Sequence, residues 1–453
     1  MAIQKFVNFA IAEWNITPEY LFLLGKSVNY KDAYIPSNPT NPYKYNNCLV
    51  PSYGISPSDA MLSVPHIYTY RPQLATGRVP AKNAEEVRIY LDKMIMHDNN
   101  QFQASCNPDE RLWMKNALHI AGGNDLDEAN LFLSYLEGYR SQWEGDFMAG
   151  NIVATYNKLT EEVIETIDIG DILNNGISVL NFFGHSSGEY WALDIDAPTA
   201  YENYGKYPFI ITGSCNLGDI HSYNLDNNNQ LQITMPEEYL FADSLGAIGF
   251  LASASLGYPS FLNPYLETLY DNFCTENYGE AIGFCVKETV REINNADPEN
   301  KGMKVTSQEY TLAGDPAIRL NAFERPEYLI EPASIVFEPQ QISADIDSFA
   351  IHTIVTNLGR SVADSFKINI ERTFPDGTIE NIVSENLLSP QYIDTFTIYI
   401  QTGDIFSVAG DNQFAVSVDF GNEIEEDCED NNMVNLNQFI FSDLLIPIAP
   451  CDF

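Results

Sequence analysis

The chain has 453 residues, of which 63 are acidic and 23 basic, so its net charge at pH 7 is -40. A protein this anionic is repelled by phosphate groups, which argues against nucleic-acid binding and against docking on anionic membranes. Hydrophobic residues make up 45% of the chain and aromatic residues 12%. That is enough for a packed core and excludes wholesale disorder. At roughly 100–200 residues per domain, the length predicts several domains.

The sequence predicts neither a membrane-spanning helix nor a signal peptide. No run of about 18 consecutive apolar residues is present, so we expect no membrane-spanning helix. The N-terminal residues lack a basic start, a long apolar block and a small-residue cleavage site, and they do not read as a signal peptide. We expect the sequence to be a fragment of a longer, secreted protein.

The first region of the chain predicts alternating strands and helices. Residues 20–24 form an apolar run that indicates a strand, and residues 74–80 precede a helical pattern over residues 85–97. We interpret residues 1–105 as a partial α/β subdomain of the larger region that follows.

Residues 106–325 alternate apolar runs with helical patterns. Helices are predicted over residues 128–143 and 159–173, and buried strands over residues 116–121, 177–183, 208–212 and 247–251. Parallel neighbours need a long crossover, so we expect a mostly parallel sheet flanked by helices. Each strand run ends in a small or polar cluster. Because ligands bind beyond the carboxyl ends of parallel strands, these clusters are expected to meet at one edge.

Residues 332–453 have a different texture. Short alternating strands such as residues 365–370 and 414–418 are separated by turn signals such as Pro-Asp-Gly at residues 375–377. This rhythm is typical of an Ig-like β-sandwich of about 100 residues. The joint between the two regions is expected in the proline-bearing stretch 323–332.

A histidine and a cysteine follow two consecutive strand runs. His185 lies between Gly184 and a Ser-Ser-Gly stretch, and Cys215 lies in a Gly-Ser-Cys-Asn cluster 30 residues later, about one strand–helix–strand repeat. Alone, such a cysteine is most often a small buried hydrophobe. Together, the two residues predict a thiolate nucleophile with an imidazole that takes its proton.

These segments resemble the gingipain family of cysteine peptidases. Residues 181–191 (NFFGHSSGEYW) resemble the family signature in which Gly-His is followed by small residues and a Trp. Residues 208–219 (PFIITGSCNLGD) resemble its nucleophile strand, and residues 312–320 (LAGDPAIRL) resemble the motif that closes its catalytic domains. Upstream, residues 57–59 and 76–81 are similar to its preceding subdomain. The resemblance covers roughly residues 1–325.

The resemblance implies a caspase-like α/β fold and a secreted cysteine endopeptidase of the kind found in Bacteroidetes-type bacteria, often exported by the type IX route. It implies that Cys215 is the nucleophile, His185 the general acid/base, and the backbone N–H groups of Ser186 and Cys215 the oxyanion donors. Trp191 matches a family Trp near the first substrate pocket, and a buried core aromatic is the alternative interpretation. The family usually has Gly where this chain has Ser186, whose side chain would narrow the oxyanion hole.

The family also tends to orient its histidine with an acid that lies beyond the first catalytic strand. Asp125 is the first candidate for that acid and Asp127 the second. The alternative is that Asp127 and Glu128 only cap the next helix, because acidic side chains are favoured at helix N-termini.

Residues 252–256, with Ser253 among them, are predicted to line the substrate pocket. Spacing places no acid there, so a preference for Arg or Lys would rest on the resemblance alone. Proteins or peptides are the expected substrates, and the secretion machinery or the cell surface are further candidate partners. The location implied by the resemblance is extracellular or at the cell surface.

Two other functions share the same residues. A type IX sorting enzyme would use the dyad to cut its cargo and reattach it. A catalytically degenerate binding or adhesion module would keep the fold, with Cys215 buried or far from His185.

The mechanism requires no cofactor, and calcium is the only one that the sequence suggests. Residues 419–432 (DFGNEIEEDCEDNN) contain a cluster of carboxylates that could bind calcium. The alternative, which we favour, is that they form a solvated sheet edge.

Seven cysteines are present, so at least one is unpaired within the chain. Cys428 and Cys451 could pair, whereas Cys274 and Cys285 are expected within helices. The polar loop 222–230 follows the cysteine and could border the cleft.

Overall fold

The computed structural model describes residues 2–30, 47–66, 69–102, 106–160, 162–187, 190–223, 232–321, 323–403 and 408–442. The chain forms two compact units, residues 1–104 with 109–322 and residues 105–108 with 323–453. The first unit is an α/β domain and the second is an Ig-like β-sandwich.

An eight-stranded sheet organises the first unit. Its strands, in spatial order, are β1 (Tyr20–Leu24), β2 (Ala75–Val79), β10 (Tyr310–Ala313), β9 (Gly249–Ser253), β8 (Phe209–Gly213), β6 (Val179–Gly184), β3 (Asn116–Gly122) and β4 (Asn151–Asn157). The five strands from β9 to β4 are parallel, whereas β10 is antiparallel to β9 and parallel to β2, which in turn is parallel to β1. The predicted mostly parallel sheet is therefore confirmed.

The division predicted at residue 105 does not separate two sheets. Strands β1 and β2 come from the predicted partial subdomain, yet they complete the same sheet as the strands that follow residue 106. The reason is β10, which returns from the end of the region and pairs with β2 on one side and β9 on the other. Sequence order alone did not indicate this pairing.

The α-helices of the first unit flank the sheet. They are α1 (Ala2–Glu13), α2 (Ala84–Phe102), α3 (Pro108–Arg111), α4 (Leu126–Trp143), α5 (Gly170–Asn175), α6 (Met235–Phe241), α7 (Pro259–Asp271), α8 (Ile282–Ala296) and α9 (Lys301–Glu309). The helical patterns over residues 85–97 and 128–143 are confirmed as α2 and α4.

The helix predicted over residues 159–173 is wrong for most of its length. Only α5 is helical there, and β5 (Glu165–Thr166) instead pairs with β7 (Leu193–Asp194) in a two-stranded sheet. The apolar spacing misled because Leu159 and Val163 do not face a core: they are 79% and 84% exposed. Strand β4 was not predicted, since this edge strand is only partly buried.

Two facing sheets form the second unit. One contains β11 (Tyr328–Leu329), β12 (Ile335–Glu338), β14 (Ser348–Asn357) and β17 (Ile393–Gln401). The other contains β13 (Ile342–Ser343), β19 (Met433–Phe441), β18 (Gly410–Val418), β15 (Ser365–Thr373) and β16 (Ile379–Leu388). Inward side chains from both sheets, among them Phe349, Ile368 and Phe414, share one buried cluster, as expected of a sandwich.

The cysteines pair differently from the prediction. Cys428 forms a disulfide with Cys106, and both belong to the second unit; Cys451 lies outside the described residues. Cys274 lies in the helical turn Asn272–Glu276 and Cys285 in α8, and both are free and buried. Burial raises the pKa of Cys285 to about 12, so this thiol is unreactive at neutral pH.

No helix in the described part of the chain is long and apolar enough to cross a membrane.

Three buried histidines make the stability of the first unit depend on pH. Burial lowers the pKa of His97 to about 4 and those of His119 and His221 to about 3. The unfolded chain binds these protons below pH 6.5 and the folded chain does not. The contribution of these histidines to the free energy of unfolding is therefore expected to be complete above pH 6.5 and to fall as the pH drops, by about 1.4 kcal/mol per pH unit for each histidine.

Denaturant unfolding of wild type and His119→Phe, compared between pH 7.5 and 5.5, measures this effect. His119 is the suitable position because neither of its ring nitrogens has a hydrogen-bond partner among the described residues, and the ring packs near Tyr270. Between these two pH values, the free energy of unfolding of His119→Phe should change less than that of wild type, by the contribution of one histidine. An identical pH dependence in both proteins would contradict the assignment.

Candidate active site

The sheet register brings His185 and Cys215 to neighbouring strand ends. Strands β6 and β8 are parallel neighbours in which Phe183 pairs with Gly213. His185 and Cys215 each come two residues later, so the two residues leave the sheet at the same level. Adjacent strands lie about 4.8 Å apart. The backbone at His185 and the backbone at Cys215 are therefore neighbours at the carboxyl edge of the parallel strands.

A carboxylate and a phenyl ring hold the imidazole. His185 Nε2 lies 2.9 Å from Glu128 Oε2, and the His185 ring centroid lies 5.9 Å from that of Phe132. Within the described residues, the other ring nitrogen, Nδ1, has no hydrogen-bond partner, and the side chain is 40% exposed. With Nε2–H donating to an ionised carboxylate, the lone pair on Nδ1 is free to accept a proton.

The acid beside His185 is Glu128, which corrects the choice of Asp125. Asp125 is the N-cap of α4, and its Oδ1 accepts a hydrogen bond from Glu128 N at 2.9 Å. Glu128 Oε2 accepts both His185 Nε2 and Asn124 N, the latter at 3.0 Å. Asp127, the second candidate, is exposed in the first turn of the helix.

The signal for Glu128 was present in the sequence. An acid at an N-cap with Glu three residues later is the pattern of a capping box. The alternative interpretation of the sequence was that Asp127 and Glu128 only cap the helix, and Glu128 does accept a backbone N–H at that helix start. What the sequence did not indicate is that the same oxygen also reaches His185.

The Cys215 thiol lies against the loop that follows β9. Cys215 Sγ donates to Gly257 O at 3.4 Å and accepts from Gly257 N at 3.3 Å. The next residue, Asn216, donates its backbone N–H to Ser255 O at 2.8 Å and adopts a left-handed backbone with φ 56°. Among the described residues Gly257 supplies both hydrogen-bond partners of the thiol, which is half-buried.

Ser186 connects the two loops that carry the histidine and the cysteine. Its Oγ donates a hydrogen bond to the backbone carbonyl of Cys215. The backbone N–H groups of Ser186 and Cys215 have no hydrogen-bond partner within the described residues. Both amides are therefore available to an oxyanion, and the serine side chain is directed to a carbonyl.

The two predicted substrate-binding residues are buried. Trp191 is 0% exposed and stacks on Phe182 with ring centroids 4.5 Å apart, so the core interpretation is the correct one. Ser253 is the last residue of β9, is 1% exposed, and donates its hydroxyl to Ser255 O. Neither side chain is accessible to a substrate.

Replacement of Trp191 by Ala is expected to destabilise the first unit by about 3–5 kcal/mol, because a fully buried aromatic leaves a large cavity. Tyr204→Ala is the matched control, since Tyr204 is 63% exposed. Denaturant unfolding measures both. A Trp191→Ala variant that unfolds at the wild-type midpoint would contradict the core assignment.

A second group of Ser, His and Asp side chains is buried and closed to solvent. Ser27 Oγ contacts His221 Nδ1, and His221 Nε2 lies 4.0 Å from Asp59 Oδ2. Ser27 and His221 are fully buried, and Asp59 is nearly so. This group fixes the segment that follows Cys215 and offers no access to a substrate. Most of the polar loop 222–230 lies outside the described residues.

The acidic segment 419–432 is not a sheet edge, which corrects the preferred interpretation. It is the connection between β18 and β19 and belongs to neither strand. Oxygens of Asp419, Glu426 and Glu429 lie within 4.8 Å of one another. Glu426 is buried and accepts from Tyr328 N and from Asn432 Nδ2. The Glu426 carboxylate thus already accepts hydrogen bonds from the protein. Calcium binding at this cluster stays a prediction.

Comparisons with known proteins agree with this architecture. The model of peptidase family C25 matches residues 1–321. The crystal structure of the Arg-specific cysteine proteinase gingipain R is 16% identical, with a TM-score of 0.54, and the match covers 97% of this chain and 88% of that one. The complex of Porphyromonas gingivalis RgpB pro- and mature domains is also 16% identical, with a TM-score of 0.52, and the match covers 97% and 89%. No curated protein sequence matches the chain.

Proposed function

The chain belongs to peptidase family C25 and is a cysteine peptidase, and we propose that it hydrolyses peptide bonds with Cys215 as nucleophile and His185 as general acid/base. The observation that carries this proposal is the register of β6 and β8, which sets the two residues side by side beyond a sheet edge. Proteins or peptides are its substrates.

In the first half of the reaction, His185 Nδ1 takes the proton of the Cys215 thiol and Sγ attacks the carbonyl carbon of the scissile bond. The carbonyl oxygen becomes an oxyanion, for which the free N–H groups of Ser186 and Cys215 are suitable donors. The imidazolium then protonates the leaving amine. The products of this half are the released amine and a thioester between Cys215 and the acyl part of the substrate.

In the second half, water attacks the thioester. His185 takes a proton from the water, the carbon–sulfur bond breaks, and the imidazolium returns the proton to the thiolate. Glu128 contributes by fixing the ring and by stabilising its charged form, as carboxylates do beside catalytic histidines. It is a positioning residue, because it acts through His185.

An electrophilic peptidyl acyloxymethyl ketone, which alkylates a peptidase thiolate, tests the assignment. Mass spectrometry of the labelled wild-type protein should place the adduct on Cys215, and Cys215→Ala should not be labelled. The buried Cys274 is the internal control. Labelling of the Cys215→Ala variant at an equal rate would overturn the assignment.

The half-exposed thiol favours an enzyme over the alternative of a degenerate binding module, for which we expected a buried one. A sorting enzyme would transfer the acyl group from the same thioester to an amine. Hydrolysis and transfer are therefore distinguished by their products. With a glycine-peptide acceptor present, we expect hydrolysed product only, and a new amide product would favour the sorting enzyme instead.

We also infer that the protein acts outside the cell or at its surface. The disulfide between Cys106 and Cys428 supports this, because disulfides persist mainly in oxidising compartments. Export by the type IX route would follow from the family resemblance, and the secretion machinery would then be a partner. Thiol blocking of freshly isolated protein before reduction should find both cysteines protected.

A further inference from the structure

The loop between β9 and α7, residues 254–258, lies directly against the nucleophile. Four hydrogen bonds join it and the end of β9 to the cysteine segment: Gly257 makes two with the thiol, Ser255 O accepts from Asn216 N, and Ser253 O accepts from Gly218 N at 2.8 Å. Leu256 and Tyr258 flank Gly257 in sequence. Their side chains are therefore attached to the stretch of backbone that touches the sulfur.

These flanking side chains are exposed and apolar. Leu256 and Tyr258 are each 62% exposed, although residues on both sides of them are held by hydrogen bonds. Tyr190, in the loop that follows His185, is 50% exposed. Apolar side chains that remain accessible in a rigid loop beside a nucleophile offer a substrate surface to bury.

The described part of these loops displays no carboxylate to a cationic substrate side chain. Residues 254–258 contain none, nor do 185–187 and 190–192. The nearby acids already interact with groups of the protein. Glu128 Oε2 bonds His185 Nε2, and Asp194 Oδ1 accepts from Trp191 N. Glu309 is 9% exposed, and the side chains of Ser255 and Ser56 hydrogen-bond to it. The charge of Asp219 favours the protonated form of the buried Lys26.

Accepting the proposed function, we propose that this peptidase cleaves after an apolar or aromatic residue, which packs on Leu256 and Tyr258, and discriminates against Arg and Lys. An aliphatic or aromatic side chain gains free energy from burial there, whereas a guanidinium or ammonium would be desolvated without a partner.

Peptides that differ only in the residue before the scissile bond, carrying Leu, Phe, Arg or Lys, test the proposal. We expect kcat/KM to be about tenfold or more higher for Leu and Phe. Leu256→Ala and Tyr258→Ala should each lower kcat/KM for the apolar peptides, chiefly through KM. Leu256→Asp should raise kcat/KM for the Arg peptide relative to the Leu peptide. Tyr204→Ala, on the exposed surface elsewhere, should leave all four values unchanged.

The outcomes separate this proposal from the proposed function. If peptidyl ketones label Cys215 but the Arg or Lys peptide is cleaved fastest, the specificity assignment is overturned and the catalytic one stands. An Asp219→Asn variant that then loses only the basic activity would identify the acid responsible. If Cys215 is neither labelled nor needed for cleavage, the proposed function fails, and this inference with it.

Discussion

Replacement of His185 by Ala is expected to lower kcat/KM for peptide hydrolysis by roughly 10³- to 10⁴-fold. The imidazole is the group that we propose accepts the proton of the thiol before attack and returns it to the leaving amine, and this variant lacks it. The ring is 40% exposed, so its loss should change the free energy of unfolding by less than about 1 kcal/mol. Steady-state hydrolysis and denaturant unfolding, measured on the same preparation, separate the two effects.

His352→Ala is the matched control, because His352 is a partly exposed histidine of the second unit that also bonds a glutamate. It should retain wild-type kcat/KM. A second readout is the rate of alkylation of Cys215 by a peptidyl ketone, which should fall in His185→Ala along with hydrolysis. Hydrolysis at the wild-type rate in the absence of His185 would remove it from the mechanism.

Glu128→Gln is expected to lower kcat by about 10²-fold with little change in KM. The amide retains an oxygen that can accept from Asn124 N, so the start of α4 should persist. The negative charge beside His185 is lost, and with it the stabilisation of the imidazolium that forms during each half of the reaction. A residue with a purely structural role would not be expected to change kcat while leaving KM unaltered.

Asp125→Asn is the comparison that decides between the two acids. Asparagine is as good an N-cap as aspartate, and the Asp125 carboxylate bonds only to Glu128 N among the described residues. We expect near-wild-type kcat for this variant. If instead Asp125→Asn loses activity and Glu128→Gln retains it, the orientation of His185 depends on the acid that the sequence favoured first.

The strands that lead to the candidate site could be predicted because a strand buried on both faces has a continuous apolar sequence. Strands β3, β6, β8 and β9 are almost wholly buried, and each reads as a continuous apolar run. Strand β4 lies at the edge of the sheet and lacks such a run. In the segment 159–173, Leu159 and Val163 matched a helical period without a surface to bury them.

The positions of His185 and Cys215 could be predicted, whereas the residues around them were predicted less well. His185 and Cys215 follow strand ends, and strand topology constrains where such ends lie. The roles of Trp191 and Ser253 depended on the direction of their side chains, which the sequence did not specify. The Glu128 carboxylate both caps the start of α4 and contacts His185. Helix capping can be predicted from a sequence, whereas the contact with a distant residue cannot.

The contact between Cys215 and Gly257 has a consequence for how this enzyme could change. Because main-chain atoms of Gly257 hold the sulfur, the residues on either side can mutate without disturbing the reacting group. Gly257 itself is constrained, since an added Cβ would fall 2.6 Å from Leu262 Cδ1. If Cys215 is the nucleophile as proposed, substitutions at positions 256 and 258 could therefore change which peptides are cut while the sulfur keeps its position.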